Sequence, residues 1–592
     1  MVRNEENLFI KEVCTSLKPL NERKKTEQLK ISSNPLRYPF WGLLYLLFLA
    51  ACTQPKPYDV VIRNALLYDG SGKAPVHGDI AIQGDSIVAM GNLGEAKGKT
   101  EIDAKGMAVA PGFVNMLSWS NESLLQDGHS QSDIRQGVTL EVMGEGESMG
   151  PLSDTMKTLM LKQQGDIKFD IKWTSLGEYL EYLERKGVSS NVASYVGAAT
   201  VRVHELGYEN RPPNPEELDR MRSLVKQAME EGAIGVGSSL IYAPAFYAQT
   251  DELTELCKVA SQYGGSYITH MRSEGNKFLE AIDEVITISK NAGIHSEIYH
   301  LKAAGKQNWY KLDMAVAKID SARNAGLNIT TNMYTYIAGA TGFDAAMPPA
   351  VQEGGLDKWI ARLKDPKQRP GIIQAMKINA QDWENLYYSA GAEGVMLVGF
   401  KEDSLKYLTG KRLPEVAAMY GTSPEETILD LIIKDHTRIG VVYFLMSEEN
   451  VKRQISMPYM SFGSDESSQA PEGVFLKSNA HPRAYGNVAR LLGKYVRDEK
   501  VIPLEEAVRK LSSLPCENLK IKRRGRLAPG YFADIVIFDP ATIQDHATFE
   551  KPHQYATGVQ HVFVNGVQVL KDGEHTGATP GKVVRGPGWK KR

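Results

Sequence analysis

Cysteine is scarce in this chain, and the four that occur are far apart. They follow no Cys-x-x-Cys spacing, which excludes a thiolate zinc cluster and argues against a disulfide framework. A net charge of −2 provides no strongly basic surface, so no nucleic-acid partner is expected. The apolar run at residues 40–48 is too short for a relaxed membrane span. The cysteines are Cys14, Cys52, Cys257 and Cys516.

Cys52 follows that apolar run, which has the size of a signal-peptide core. Basic residues at 23–25 precede the run, and Leu49-Ala50-Ala51-Cys52 closes it. This end resembles the bacterial lipobox, in which the cysteine thiol takes a lipid. It implies a signal segment at 1–52, a flexible tether at 53–57 and a membrane attachment through a lipid anchor at Cys52. The expected location is the bacterial cell envelope, as a periplasmic or outer-membrane lipoprotein; an uncleaved anchor helix is the alternative.

Strands and helices alternate along the middle of the chain, which is typical of parallel strands joined by crossover helices. A length of 592 residues with 42% hydrophobic content suffices for a large core with a companion domain. Eight candidate strands match the number that a closed barrel needs, so the predicted fold is α/β, a (β/α)8 TIM barrel. These strands are residues 108–117, 139–143, 192–196, 234–238, 266–270, 297–300, 329–334 and 460–465.

Both ends of the chain carry short β-branched runs between Gly and Asp turns, which predict a small β-sandwich domain formed by the two ends together. The predicted halves are residues 58–110 and 521–592, with the barrel at 111–520. Residues 354–452 exceed a normal connection between strands seven and eight, and we expect an inserted, mostly helical subdomain there. Its role is open between a lid over the site and a plain surface insertion.

Two histidines and an aspartate fall at the carboxyl ends of predicted strands, where barrels of this kind carry their chemistry. His270 ends the fifth strand, His300 the sixth and Asp465 the eighth. This set predicts a metal site at the rim of the barrel. A metal ion there would polarise a carbonyl group and make hydroxide available at neutral pH. Asp465, within reach of that water, would accept its proton and pass it to the leaving group.

Eight short motifs, in consistent order within residues 58–585, resemble the amidohydrolase superfamily and, within it, the N-acyl-D-amino-acid deacylase (D-aminoacylase) branch. Any one of them alone would be weak evidence. The motifs are Ala110-Pro111-Gly112-Phe113, Gln136-Gly137-Val138-Thr139, Gly237-Ser238-Ser239-Leu240-Ile241-Tyr242-Ala243-Pro244, Thr269-His270-Met271-Arg272, Tyr334-Thr335-Tyr336-Ile337-Ala338-Gly339, Gly463-Ser464-Asp465, His481-Pro482-Arg483 and Gly530-Tyr531-Phe532-Ala533-Asp534.

The resemblance implies a tightly held zinc ion with ligands after strands two, five and six. His270 and His300 match two of these ligands, but the branch's cysteine after strand two is absent. Aligning residues 148–151 with the branch's Ser-x-Ala-Pro places Glu145 at that position, with Glu147 as the rival ligand. We therefore expect Glu145, His270 and His300 to hold one zinc ion per chain and to leave an open position for water.

A second departure concerns the His-x-His that serves a second, weakly held metal in this branch. Leu117-Ser118-Trp119 stands in its place. The sequence therefore predicts a mononuclear site, and we expect the Trp119 ring to fill the pocket of the second ion.

The resemblance also assigns substrate contacts. Arg483 matches the branch's arginine for the substrate carboxylate, for which a planar guanidinium offers two parallel donors. Ala340 replaces a serine that the branch often uses nearby. Three further positions match substrate contacts: Lys302, Tyr334 and Tyr242.

The expected activity is therefore hydrolysis of the amide of an N-acyl amino acid, of D configuration, through a metal-activated water with Asp465 as general base and acid. Two alternatives remain open. One is a different amidohydrolase specificity, such as a dipeptidase or a cyclic amidase. The other is a catalytically inactive barrel that acts as a binding protein, which the missing His-x-His would allow.

Overall fold

The computed structural model describes residues 56–591 of the 592-residue chain. The predicted signal segment, the lipobox with Cys52 and most of the predicted tether lie outside the described residues. Within the described part, no helix is both long enough and apolar enough to cross a membrane.

The strands are numbered in chain order. They are β1 (Tyr58–Leu67), β2 (Val76–Gln83), β3 (Ser86–Gly91), β4 (Gly98–Asp103), β5 (Ala108–Pro111), β6 (Phe113–Asn115), β7 (Val138–Met143), β8 (Asn191–Ser194), β9 (Val196–Gly197), β10 (Gly235–Ser239), β11 (Ser266–His270), β12 (His295–Ile298), β13 (Ile329–Met333), β14 (Gly339–Gly342), β15 (Val395–Gly399), β16 (Gly440–Tyr443), β17 (Met460–Phe462), β18 (Ile535–Phe538), β19 (Val559–Val564), β20 (Val567–Lys571) and β21 (Glu574–His575).

The α-helices are α1 (Ser123–Gln126), α2 (Gln131–Ile134), α3 (Asp154–Gln163), α4 (Leu176–Lys186), α5 (Ala198–Leu206), α6 (Pro215–Glu231), α7 (Thr250–Gln262), α8 (Phe278–Ala292), α9 (Lys311–Asn324), α10 (Leu356–Lys364), α11 (Arg369–Met376), α12 (Leu386–Ala390), α13 (Leu413–Tyr420), α14 (Pro424–Asp435), α15 (Glu448–Ile455), α16 (Arg483–Arg490), α17 (Leu504–Leu511) and α18 (Ser513–Asn518). Local sequence sets their ends: α4 begins at a capping box of Ser175 and Glu178 and ends before Gly187.

The two ends of the chain meet in one nine-stranded sheet of order β21-β20-β19-β18-β5-β1-β2-β3, with β4 also paired to β1. The junction is the antiparallel pair β5 and β18, in which Ala108 lies opposite Phe538 and Pro111 opposite Ile535. Apolar residues from both ends share one buried cluster there, including Ile62, Val109 and Ile537. Both chain ends therefore contribute strands to one sheet and share one core, while the domain bounds at residues 110 and 521 stay a prediction.

The barrel is built from parallel strands in chain order. Strands β6, β7 and β8 pair side by side, and β9 to β13 continue to β17. The third barrel strand is broken into β8, which pairs with β7, and β9, which pairs with β10. Backbone hydrogen bonds from Met116 to Phe462 (3.0 Å) and from Asp465 to Leu117 (2.8 Å) join the first barrel strand to the last. The TIM barrel predicted from the sequence is therefore the observed fold.

The predicted first barrel strand, residues 108–117, is two strands in two different sheets. Residues of β5 belong to the terminal sheet and those of β6 to the barrel, and Gly112 separates them. The backbone N–H of Gly112 donates to the Asp534 carbonyl at 2.8 Å. A Cβ on Gly112 would lie 2.1 Å from Thr139 Oγ1, so a glycine is required where the chain passes from one sheet to the other.

The insertion contains helices α10 to α14. Its strands β15 and β16 join β14, which precedes it, in a three-stranded antiparallel sheet of order β14-β16-β15. This sheet was not predicted, because its strands are short and β14 lies before the predicted start of the insertion. Arg438, Val441 and Leu445 from this subdomain line the cavity at the carboxyl ends of the barrel strands. The insertion therefore forms one wall of the candidate site.

Candidate active site

The candidate site lies where the barrel strands end. His270 is the last residue of β11, while His300 and Asp465 follow β12 and β17 by two and three residues. His300 and Asp465 have positive φ values of 30° and 52°. Such values are uncommon for residues with a side chain and cluster at functional sites, where the surrounding structure holds the strained backbone.

The loop after β7 brings a carboxylate to the two histidines. Glu145 lies between Gly144 (φ 106°) and Gly146 (φ 70°), two conformations that residues with a Cβ rarely adopt. A Cβ on Gly144 would lie 2.4 Å from the Tyr195 carbonyl oxygen, and one on Gly146 would lie 2.4 Å from Ser239 Cβ. The two glycines therefore let the loop lie against neighbouring strands and direct Glu145 into the barrel mouth.

Glu145, His270 and His300 form a compact buried group. Glu145 Oε1 lies 3.2 Å from His270 Nδ1 and 2.9 Å from His300 Nε2. One ligand atom from each residue lies within 4.8 Å of the others, which is close enough for all three to bind one ion. One carboxylate and two imidazoles form a donor set that suits zinc with one position open.

The protonation of the group fits a site prepared for a cation. Burial opposes ionisation of Glu145, but His300 and His270 outweigh it and hold the pKa of that carboxyl below its usual range. Burial and Lys302 lower the pKa of His300, yet Glu274 and Glu145 outweigh them and raise it to about 9. The lowered pKa keeps Glu145 ionised, so the centre of the group carries a negative charge that a cation would bind.

Glu147, the rival ligand, takes a different position. Its side chain is exposed on the cavity wall, and it is absent from the group of three ligand atoms. No other described residue lies within hydrogen-bonding or ion-pairing distance of its carboxylate. The structure thus places Glu145, and not Glu147, between the histidines.

Glu274 is a site residue that the sequence analysis missed. Its Oε1 lies 2.9 Å from His300 Nδ1 and 2.6 Å from Lys302 Nζ. A carboxylate on the far ring nitrogen fixes the orientation of a ligating histidine and leaves the other nitrogen for the metal. Glu274 lies four residues after His270, two residues beyond the motif that ends at Arg272, and this nearness was the one signal in the sequence.

A second missed carboxylate, Glu384, comes from the insertion. Its Oε2 accepts the backbone N–H groups of Glu274 and Gly275, which fixes the loop after β11. Burial and the charge of Glu274 raise the pKa of Glu384 to about 7. Nothing in the sequence around Glu384 pointed to this contact.

Asp465 and Arg483 form a pair on the other side of the cavity. Arg483 Nη2 lies 2.8 Å from Asp465 Oδ2 and donates to the Asp465 backbone carbonyl at 2.7 Å. Burial raises the pKa of Asp465 above its usual value, although the charge of Arg483 opposes that rise. A carboxyl with a raised pKa exchanges protons more readily near neutral pH, as a general base and acid must.

Arg483 retains donors without a partner. Its side chain is only 1% exposed, and its Nε and Nη1 have no hydrogen-bond partner among the described residues. The guanidinium carbon lies 4.2 Å from the centre of the Tyr334 ring, and the Tyr334 hydroxyl is likewise buried without a partner. His481 Nδ1 accepts the Arg483 backbone N–H at 3.1 Å, which braces the start of α16.

All the predicted site residues of the described chain line one cavity of about 400 Å³. Tyr242 packs edge-on against His270 with ring centres 5.4 Å apart, and its hydroxyl accepts a hydrogen bond from Thr341. Ala340 lines the same cavity. A volume of this size holds a small molecule, and its wall carries both the three-residue group and the unpaired donors of Arg483.

Comparisons with known proteins agree with this geometry. Residues 100–570 match the amidohydrolase family. A D-aminoacylase of Alcaligenes xylosoxydans xylosoxydans is 32% identical over 533 residues, which cover 89% of this chain and 98% of that protein.

Two solved structures share the fold over almost their full length. One is an N-acyl-D-glutamate deacylase from Bordetella bronchiseptica, complexed with zinc and a phosphonate that mimics the tetrahedral intermediate. It has a TM-score of 0.75 at 26% identity and covers 90% of this chain and 100% of that one. The other is a D-aminoacylase with a binuclear metal centre, for which one-metal activation and second-metal attenuation are described. It has a TM-score of 0.74 at 30% identity and covers 89% of this chain and 100% of that one. This chain therefore belongs to the amidohydrolase family, and its resemblance to the D-aminoacylase branch is confirmed.

Proposed function

We propose that this protein is a metal-dependent hydrolase that cleaves the amide of N-acyl-D-amino acids to a carboxylate and the free amino acid. One observation carries the proposal: a three-residue donor group and an arginine with unpaired buried donors lie on the wall of one cavity. The first suits a metal ion and the second suits a carboxylate. The D configuration is supported by the similarity to D-aminoacylase.

Glu145, His270 and His300 would hold one zinc ion. The fit rests on their burial, on the spacing of their ligand atoms and on the Glu274 carboxylate that holds the far nitrogen of His300. When bound, the ion supplies positive charge that polarises the amide carbonyl and makes water a stronger nucleophile near neutral pH.

Asp465 is the group placed to move protons. Its Oδ1 accepts a hydrogen bond from Trp119 and its Oδ2 lies 2.8 Å from Arg483 Nη2 in an ion pair, and each oxygen retains a lone pair for a further donor. Asp465 would accept the proton of the attacking water and deliver it to the nitrogen of the leaving amino acid. Its raised pKa supports both halves of this role.

Arg483 would bind the α-carboxylate of the substrate. Leaving a buried donor unpaired costs about 1–3 kcal/mol, and a carboxylate would give a charged partner to a donor of Arg483 that has none among the described residues. The Tyr334 hydroxyl is a further unpaired donor on the same side. Lys302 already pairs with Glu274, so we propose that it adds positive charge to this region in addition to orienting His300 through Glu274.

Hydrolysis of paired enantiomers tests the proposal. Release of the free amino acid from N-acetyl-D-amino acids and their L counterparts would be followed for the protein as purified, after chelation and after zinc is restored. We expect turnover of the D series that is lost on chelation and recovered with zinc. Binding without turnover in zinc-loaded protein, or faster turnover of cyclic amides than of every open substrate, would contradict it.

We also propose that Cys52 carries a lipid that holds the enzyme on the cell envelope. The support is the sequence alone, with Leu49-Ala50-Ala51 directly before Cys52. Mass spectrometry of the amino-terminal peptide from membrane fractions tests it. A diacylglyceryl mass on Cys52, absent from a Cys52→Ser variant, is expected; an unmodified Cys52 in membrane-bound protein would refute it.

A further inference from the structure

Trp119 joins the two sides of the site through a single N–H group. Its Nε1 donates to Glu145 Oε2 at 3.0 Å and to Asp465 Oδ1 at 3.1 Å. The backbone N–H of Trp119 donates to the Glu466 carbonyl at 3.0 Å, which fixes the residue against the loop that carries Asp465. The indole therefore bridges the carboxylate of the three-residue group and the candidate proton carrier.

This bridge occupies the position that a second cation would need. Two carboxylates that approach each other repel unless a donor or a cation lies between them. A cation there would bind Glu145 Oε2 and Asp465 Oδ1, the two atoms that the indole already contacts. Since indole Nε1 is a donor only, Trp119 satisfies both oxygens and offers no lone pair to a metal.

The other oxygen of each carboxylate is engaged elsewhere. Glu145 Oε1 faces His270 and His300, and Asp465 Oδ2 faces Arg483. The indole thus determines how both carboxyl groups are rotated: Glu145 keeps one oxygen toward the histidines, and Asp465 stays at the cavity wall beside it.

We propose that Trp119 is a positioning residue that confines the site to one metal ion and holds Asp465 in its working orientation. This rests on the proposed function in one respect, namely that the group of three residues binds a metal. It goes beyond that function because it assigns the metal stoichiometry to a side chain that is not itself a ligand. The indole N–H replaces the charge of a second ion with a neutral hydrogen-bond donor.

Metal stoichiometry tests the proposal directly. Metal-free full-length wild type, Trp119→Phe and Trp119→His would be titrated with zinc by equilibrium dialysis, and bound zinc would be counted by mass spectrometry. We expect saturation at one ion per chain for the wild type and at two for Trp119→His, since imidazole supplies a lone pair. Trp119→Phe keeps an aromatic ring without the donor, and we expect a weak second ion at high zinc concentration.

Kinetics separate positioning from a packing role. If Trp119 orients Asp465, Trp119→Phe lowers kcat about tenfold or more and leaves KM for an N-acetyl-D-amino acid within about threefold, because the carboxylate contact is at Arg483. Thermal unfolding of each variant shows whether the fold persists.

These experiments distinguish a failure of the role proposed for Trp119 from a failure of the proposed hydrolase. The role of Trp119 would be overturned, but not the hydrolase, if the wild type bound two zinc ions per chain. The same holds if folded Trp119→His bound only one zinc ion while Trp119→Phe kept the wild-type kcat. A wild type that binds no zinc would overturn both.

Discussion

Arg483→Lys is the substitution that most directly probes substrate recognition. Lysine keeps the positive charge beside Asp465 Oδ2 but removes the guanidinium donors Nε and Nη1, which have no partner in the described chain. A hydrogen bond to a charged group contributes about 1.5–3 kcal/mol. Loss of one such bond should therefore lower kcat/KM for an N-acetyl-D-amino acid by about 10- to 100-fold.

The assay compares two substrates that differ at one group. The carboxamide analogue of the same N-acetyl-D-amino acid lacks the negative charge, so it has little to lose when Arg483 is replaced. We expect Arg483→Lys to change kcat/KM for the carboxamide by no more than about fivefold, the value of a neutral hydrogen bond. An equal fall for both substrates would refute carboxylate binding, because it would mean that Arg483 acts only through Asp465.

Three further predictions concern the groups that support the site. Burial raises the pKa of Glu384 to about 7 from an ordinary 4.5, so the stability that this carboxyl contributes is lost as pH rises between those values. Glu384→Gln should remove up to about 3 kcal/mol of this pH-dependent loss of stability. A difference in thermal midpoint between variant and wild type that is the same at pH 5 and at pH 8 would contradict this. Gly146→Ala should weaken zinc binding about tenfold or more, because the new Cβ would meet Ser239 and an alanine at this positive φ is strained. Gly165→Ala, with open space around its Cβ, is the matched control. Equal zinc affinity in both variants would show that the backbone at Gly146 does not position Glu145. Lys302→Met leaves buried Glu274 with histidine partners but no lysine and should cost up to about 3–5 kcal/mol of stability. An unchanged thermal midpoint would show that Lys302 serves the substrate alone.

The fold was predictable because its signals are local. Alternating strands and helices between two β-rich ends predicted the barrel and the terminal sheet, both of which the structure has. The break at Gly112 was not predictable, since residues 108–117 form one apolar run and only the approach of Thr139, distant in sequence, requires the glycine. The sheet in the insertion was missed for a similar reason: β14 lies far along the chain from its partner β16.

The site was predictable where side chains lie at the ends of barrel strands. His270 and His300 could be placed together because parallel strands end at the same rim of a barrel, whereas Glu145 was placed by its alignment with the cysteine of the D-aminoacylase branch. The carboxylates around them could not, because Glu384 reaches the site from the insertion and a contact of this kind depends on tertiary packing. Trp119 was expected to fill a pocket, and no sequence pattern predicted its hydrogen bonds to two carboxylates.

Metal content decides whether Glu145, His270 and His300 form a metal site. Zinc per chain would be determined by mass spectrometry for the wild type, Glu145→Ala and His300→Ala, with Glu147→Ala as the matched control two residues away. We expect about one zinc ion in the wild type and in Glu147→Ala, and none in the other two variants. A wild type that stays metal-free after incubation with zinc, or a site that survives Glu145→Ala and fails in Glu147→Ala, would contradict it.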